Sequence, residues 1–331
     1  GLVCVPGDFV LYERCSHAFK DICASYAPVM ESFSIDEVFL DMSGTHLVYP
    51  DPVALAHEIK DKIRDELGFT VNIGIGTNKL LAKMASDFEK PDKVHTLFPA
   101  EIPTKMWPLP VRDLLFLGKA SEQKLIKAGI KTIGEMARYP ETEIQRLLGE
   151  KTGHQLYEYA NGRDDSPVRG EREEAKGYSA ETTTEEDIVT YEQAFSLLLA
   201  QCDVVAARMR KDGKKCSCVS VTYRMLDFRT RSHQKKLGNP TDVTEEIFVQ
   251  VKNLLYECWQ CQPLRLIGVA LTDLTSDDFR QMSLFENTEN HEKQKKVDGV
   301  VDDIRKRFGN GMIVRGSTMK TADKVARKAK A

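Results

Sequence analysis

Apolar positions recur along this chain in two periods, and the switches between them mark its elements. Phe9, Leu11, Phe19, Ile22 and Cys23 fall at helical spacing over roughly residues 9–24. Residues 28–42 change to alternation. Val38, Leu40 and Met42 share one strand face and Phe39 and Asp41 the other, so the segment reads as a hairpin with Ser34 to Glu37 at its turn. Asp51-Pro52 then opens a helix in which Leu55, Ile59, Ile63 and Leu67 recur every fourth residue, and Gly68 stops it. Residues 70–76 are strand-like, Thr77 or Asn78 caps a helix to about Asp87, and a last strand lies near Val94–Leu97. Together these predict an α/β lobe.

The pattern then changes character. Residues 103–166 predict short helices broken by glycine. Segments 114–119, 124–128 and 129–137 read as helix, turn and helix, with Ile130 and Ile133 inward, and the Gly-Glu-Lys-Thr-Gly loop at 149–153 joins a second pair. Residues 163–176 carry no apolar period and read as a linker. Beyond it the order is β-α-β-β-α-β: strands over 177–184, 215–225, 229–237 and 264–274, with helices over 190–210 and 241–258. This predicts a four-stranded sheet with two helices on one face. Gln281, Met282, Leu284 and Phe285 then stand in a polar stretch, a peptide that needs a partner's pocket to bury its apolar residues. Val297, Val300, Val301, Ile304 and Phe308 make a helical stripe that could dock on the body or meet a partner, and residues 315–331 form a basic tail.

Composition adds bounds. A chain of 331 residues is long enough for two or three domains, and 41% hydrophobic with 29% charged residues describes a globular protein. No apolar run reaches membrane-spanning length and no signal peptide opens the chain, which points to the cytoplasm. Eight cysteines at irregular spacing read as free thiols. A zinc site built from Cys216, Cys218, Cys258 and Cys261 is the weaker alternative. The net charge of −3 gives no general attraction to nucleic acid, so that case rests on local patches. One exists between 208 and 236: ten basic residues, among them Arg224, Arg229, Arg231 and Lys235, face only Asp212 and Asp227. Alternation places Arg229 and Arg231 on one exposed face, suited to a DNA backbone.

The candidate chemistry centres on Asp36 and Glu37. Two adjacent carboxylates at an apolar sheet's mouth call for a cation, and hard oxygen ligands suit Mg²⁺ with substrate phosphates completing its shell, although a strand end with solvated acids is the commoner meaning of an isolated Asp-Glu pair. Lys79, Lys83 and Lys90 set against that pair suit a triphosphate, though a solvated basic helix face is the commoner meaning of such a run. Helix N-termini at Gly118-Lys119 and in the loop holding Gly149, Lys151 and Gly153 offer N–H groups to phosphate without reading sequence. This looks like a helix-hairpin-helix element, although Phe116 stands where glycine is usual, and a plain helical bundle is the alternative. A metal nuclease is a further reading, but it lacks a general base beside the pair, His46 being the nearest histidine in sequence.

The motif Ser-Ile-Asp-Glu-Val-Phe-Leu-Asp at 34–41 resembles the Ser-x-Asp-Glu motif of Y-family translesion DNA polymerases, most of all the bacterial DNA polymerase IV branch. So do Asn-Ile-Gly-Ile-Gly at 72–76, the run from Asn78 to Asp87, and Lys90-Pro91. The resemblance runs in order from Pro6 to about Asp273. It implies an α/β and α+β multidomain fold with a palm at 1–102, a helical thumb at 103–166, a linker at 167–176, a βαββαβ little finger at 177–275, and a clamp-binding peptide and tail at 276–331. The family's palm starts with a strand carrying another metal-binding Asp, followed by the fingers. This sequence opens after both, so the expected site has two of three carboxylates.

By resemblance the activity is template-directed, low-fidelity addition of a dNTP to a primer 3′ end with two Mg²⁺ ions. Asp36 and Glu37 would hold metal, and Lys90 matches the lysine that neutralises the triphosphate. Primer-template DNA and a sliding clamp gripping Gln281–Phe285 are the implied partners, and the protein is expected to be a monomer in a bacterial cytoplasm. The competing expectation is a non-catalytic DNA- and clamp-binding protein.

Overall fold

The computed structural model describes residues 2–5, 7–170, 174–277, 288–309 and 311–319. They belong to two compact units, residues 1–172 and 173–331.

The first unit begins with α1 (Phe9–Ala24), started by Asp8, whose carboxylate accepts from the Leu11 N–H at 3.0 Å. Strands β1 (Val29–Ser32) and β2 (Val38–Asp41) pair antiparallel, with Ser32 opposite Val38 next to the turn. Val38, Leu40 and Met42 pack inward on Phe19, Cys23, Leu55, Ile59 and Ile63, as the alternation predicts. The last three come from α2 (Pro52–Leu67), which Asp51 caps and Gly68 ends at φ +77°. Strands β3 (Ile73–Gly76) and β4 (Val94–Leu97) are parallel, and α3 (Lys79–Ser86) crosses between them. The Gly-Ile-Gly of β3 has a packing cause: a Cβ on Gly74 would lie 1.9 Å from the Ala82 carbonyl oxygen, so α3 rests directly on the strand's backbone.

Leu80, Leu81 and Met84 of α3 and Leu97 of β4 share a core with Met106, Leu125, Ile133, Ile144 and Leu156 of the following helices. Met106 ends a short π-helical turn (Ile102–Met106), and the others belong to α4 (Lys119–Lys127), α5 (Ile133–Ala137), α6 (Glu141–Leu148) and α7 (Glu150–Ala160). Two expectations need correcting. Residues 114–119 are not a helix. After a short 3₁₀ turn (Val111–Asp113), Leu114 is buried, Phe116 takes φ +64°, and Gly118 is the extended residue before α4. An apolar run that reads as helical is here a turn, because its leucines bury while the backbone reverses. The loop expected at 149–153 shrinks to Gly149 at φ +93°, and Gly153 lies inside α7. A Cβ on Gly153 would come within 2.4 Å of the Gln145 Cα, so glycine lets α7 close on α6.

The second unit holds the expected β-α-β-β-α-β order: β5 (Tyr178–Ile188), α8 (Tyr191–Lys211), β6 (Lys215–Met225), β7 (Thr230–Thr241), α9 (Thr244–Cys258) and β8 (Leu264–Thr275). The sheet order is β5-β8-β6-β7, antiparallel throughout. Leu198, Val205 and Met209 of α8 and Ile247, Val251 and Leu255 of α9 cover Val219, Val221 and Ile267 of the sheet. Helix α10 (Thr288–Phe308) docks on α8 and α9 largely through charge: of its apolar stripe Val301 and Ile304 are half-buried, while Val300 and Phe308 remain 59% and 66% exposed. Asp298, buried, accepts from the Thr244 N–H at 2.8 Å and pairs with Arg210 at 3.3 Å and Arg315 at 3.0 Å.

Candidate active site

The turn between β1 and β2 presents the two carboxylates. Phe33 N–H and Ser34 N–H both donate to the Glu37 carbonyl, at 3.0 and 3.2 Å, closing the turn. The Ser34 hydroxyl donates to Asp36 Oδ1 at 2.7 Å and lies 3.4 Å from Glu37 Oε2. The two acids are thus tied through one hydroxyl. Helix α1 braces the turn from behind: Ser16 donates its hydroxyl to the Ile35 carbonyl, and Lys20 Nζ donates to the Ser34 carbonyl at 2.8 Å. Burial depresses the Lys20 pKa, and the attraction of Asp36 only partly offsets it.

Helix α3 supplies the opposing charge, since its N-cap Asn78 accepts from the Leu81 N–H at 2.8 Å and sets the helix's start. Lys83 pairs with Glu37 and, at 2.9 Å, with Asp87. Burial pulls its pKa down, but the hydrogen bonds to these two carboxylates outweigh that and the pKa is raised, so Lys83 is a fixed cation. Lys90 reaches the other oxygen of Asp87 at 2.8 Å and is 58% exposed. Its loop is anchored two residues on, where Asp92 binds Lys60 at 3.0 Å and Arg64 at 3.1 Å on α2. Lys79 points elsewhere: its ammonium meets both oxygens of Glu31 at 3.0 and 2.9 Å, over the Phe39 ring. Burial raises the Glu31 pKa, but Lys79 and the Arg169 N–H outweigh it and hold this carboxyl below its ordinary range.

Of the expected phosphate lysines, Lys83 therefore meets the carboxylate pair directly at Glu37 and Lys90 is linked to it only through Asp87 and Lys83, while Lys79 belongs to a separate ion pair. Sequence reasoning missed Lys20, Glu31 and Asp87. The spacing of Asp87, four after Lys83 and three before Lys90, was a readable signal. Nothing local marked Lys20, which reaches the turn only through the fold.

The donor set fits Mg²⁺. Asp36 and Glu37 are hard oxygen ligands at a solvent-facing turn, and an ammonium already rests on Glu37. Mg²⁺ is bound through one or two carboxylates plus phosphates and waters, so a pair suffices for one ion. Among the described residues no cluster of three or more such ligands occurs. That also leaves the cysteine quartet without a metal site; all eight thiols are free.

The expected DNA contacts are spread over both units. In the first, Gly118, Lys119, Gly149 and Lys151 are exposed at helix starts, whereas Gly153 is buried between α6 and α7 and cannot meet a phosphate. In the second, Arg229 lies in the turn before β7 and pairs with Asp227 at 3.3 Å, so it does not share a strand face with Arg231. Arg231 and Lys235 stand opposite the inward Tyr223 and Val219, on the helix side of edge strand β7, yet both are exposed. Arg224 projects from the other face and donates to Thr230 at 2.8 Å. Arg210 is removed from any basic surface by its pairing with Asp298 and Asp302. Gln281, Met282, Leu284 and Phe285 lie outside the described residues.

Comparison with known proteins fits this geometry. A family model described as the impB/mucB/samB family matches residues 1–87, that family's C-terminal domain matches 175–284, and a DNA polymerase-iota thumb domain matches 112–164. DNA polymerase IV of Clostridium acetobutylicum is 39% identical over 319 residues, covering 96% of this chain and 80% of the relative. The chain belongs to the DNA polymerase IV branch of the Y family. DNA polymerase IV of Moorella thermoacetica is 34% identical over 319 residues, covering 96% of this polymerase and 79% of the relative. A solved Y-family DNA polymerase chimera matches its fold with a TM-score of 0.72 at 22% identity, covering 82% of this chain and 79% of that one. The matched segments of this polymerase are the lobe with its carboxylate turn and α3, the helices α4 to α7, and the sheet of the second unit.

Proposed function

We propose that this polymerase carries out template-directed, low-fidelity translesion synthesis, adding dNTPs to primer 3′ ends with Asp36 and Glu37 as its metal ligands. The observation that carries the reading is the braced turn: both acids are tied by Ser34, with a fixed cation from Lys83 on Glu37. Bound there, Mg²⁺ would supply Lewis-acid neutralisation of the triphosphate and lower the pKa of the primer hydroxyl, a two-ion arrangement being the family expectation. The remaining tasks fall to side chains. Ser34 pre-orients Asp36, so little reorganisation is needed when substrate binds. Lys90, exposed and paired with Asp87, donates to the nonbridging oxygens of the triphosphate.

Primer-template DNA would be held through backbone contacts at the N-termini of α4 and α7 and by Arg224, Arg229, Arg231 and Lys235. We further assign Gln281, Met282, Leu284 and Phe285 to a sliding clamp, with a monomeric polymerase acting in the bacterial cytoplasm. Among the described residues no helix is long and apolar enough to cross a membrane.

Primer extension with Mg²⁺ and all four dNTPs, run beside Asp36→Ala, tests the central assignment. The expected result is extension that falls by at least about a thousandfold in Asp36→Ala while DNA affinity holds. Equal extension by both proteins would remove Asp36 from the chemistry. Clamp capture lost in Phe285→Ala would support the peptide assignment, and unchanged capture would contradict it.

A further inference from the structure

Asp87 joins two cations to which the proposed reading gives separate tasks. At the end of α3 its Oδ2 accepts from Lys83 at 2.9 Å and its Oδ1 from Lys90 at 2.8 Å. Lys83 continues the chain to Glu37, one of the two carboxylates of the turn. A continuous path of alternating charge thus runs Glu37, Lys83, Asp87, Lys90. From Lys83 outward exposure rises, from 15% for its side chain to 44% for Asp87 and 58% for Lys90, Glu37 itself being 36% exposed. The inner cation is fixed and the outer one faces solvent.

We propose that Asp87 is a positioning residue for the incoming nucleotide: itself anchored by Lys83, it holds Lys90 at the outer end of the path from Glu37 until a triphosphate draws that ammonium across. A free lysine side chain samples many rotamers, and holding one in place removes an ordering cost that substrate binding would otherwise carry. The loop backbone that bears Lys90 is already anchored through Asp92 to Lys60 and Arg64. Only the side chain is left to position, and Asp87 is the acceptor that positions it. A triphosphate carries more negative charge than one carboxylate and exposes several acceptor oxygens, so it wins Lys90 from Asp87 on arrival.

This inference rests on the assignment of Lys90 to the triphosphate, and the test separates the two. Steady-state incorporation of a single dNTP is measured with the whole chain, with Asp87→Asn, Asp87→Glu, Lys90→Ala and the Asp87→Asn/Lys90→Ala double variant. Asp87→Asn is expected to raise KM for dNTP about threefold, the scale of a solvent-exposed ion pair, with kcat little changed. Asp87→Glu restores most of it, and the double variant is no worse than Lys90→Ala, since both changes act on one contact. If Lys90→Ala raises KM but Asp87→Asn does not, or if their effects multiply, the positioning role is overturned while Lys90 keeps its assignment. If Lys90→Ala leaves KM unchanged, the triphosphate assignment falls and the positioning role with it. A lowered melting temperature in Asp87→Asn without a change in KM marks a merely structural helix-end pair and also overturns the proposal.

Discussion

Phe116 carries a left-handed backbone, φ +64°, that side chains with a Cβ avoid. The structure explains why glycine suits this turn, and also what the phenyl ring does instead. It lies 6.3 Å from the rings of both Phe33 and Tyr159, linking α7 to the residue that precedes Ser34. The left-handed conformation costs about 1–2 kcal/mol, and two half-exposed ring contacts return about 0.5 kcal/mol each or slightly more. Phe116→Gly should therefore change stability by less than about 1 kcal/mol, against about 3–5 kcal/mol for deleting a buried phenylalanine. Urea denaturation checks this, and a loss near the larger figure would mean the rings dominate. Glu31 sets a second test at this scale. Its pKa is depressed in the folded state, so its contribution is present above the ordinary carboxylate value, about 4.3, and is lost as pH falls through the folded value. Glu31→Gln should be less stable than the parent at about pH 7, and the gap should shrink as pH falls below the ordinary carboxylate value, about 4.3, and through the lower folded value. A gap that persists at low pH would place the effect in packing rather than charge.

Among the elements, helices with caps and the hairpin turn at 34–37 were legible, whereas the turn at 114–118 was not. Asp51-Pro52 and Gly68 bound α2 where the sequence says they should, because each end has a residue whose chemistry closes it. The run at 114–118 has no such marker, and only the burial of Leu114 and the backbone at Phe116 make it a turn. Gly153 was misread for a related reason. Glycine within a helix is unfavourable by about 1 kcal/mol relative to alanine, which argues for a loop, but here close approach of α6 outweighs propensity. Gly153→Ala should thus destabilise by about 1–3 kcal/mol through overpacking on Gln145, despite alanine's better propensity. Stabilisation in thermal melts would contradict that packing. Helix α10 teaches the opposite lesson: its apolar stripe invited a hydrophobic docking, yet Asp298, 3% exposed, and its arginine partners make the contact. Removing one partner of a buried pair leaves charge uncompensated, typically at about 3–5 kcal/mol. Asp298→Ala should release α10, seen as faster amide exchange over residues 290–308. Retained protection would show that the apolar contacts suffice.

For the whole molecule, the alternation at 38–42 and the strand-helix order were enough to reach the fold, since each local period agrees with the layer it joins. The division of labour was harder to read. The boundary expected near residue 102 crosses a core that α3 and β4 share with α4 to α7, because Leu80, Leu81 and Met84 pack across it. At the site, Asp36, Glu37 and Lys90 were visible as motif residues. Lys20 and Glu31 were not, because their roles depend on contacts made only once α1, β1 and α3 surround the turn, whereas Asp87 was readable from its spacing to Lys83 and Lys90. Template-directed nucleotide addition at this turn is tested by offering one dNTP at a time against each template base, with Mg²⁺ and then with the metal chelated. The expected outcome is addition dominated by the complementary nucleotide, tolerant of a damaged template base, and lost on chelation. DNA binding without any addition, or addition indifferent to the template, would contradict it.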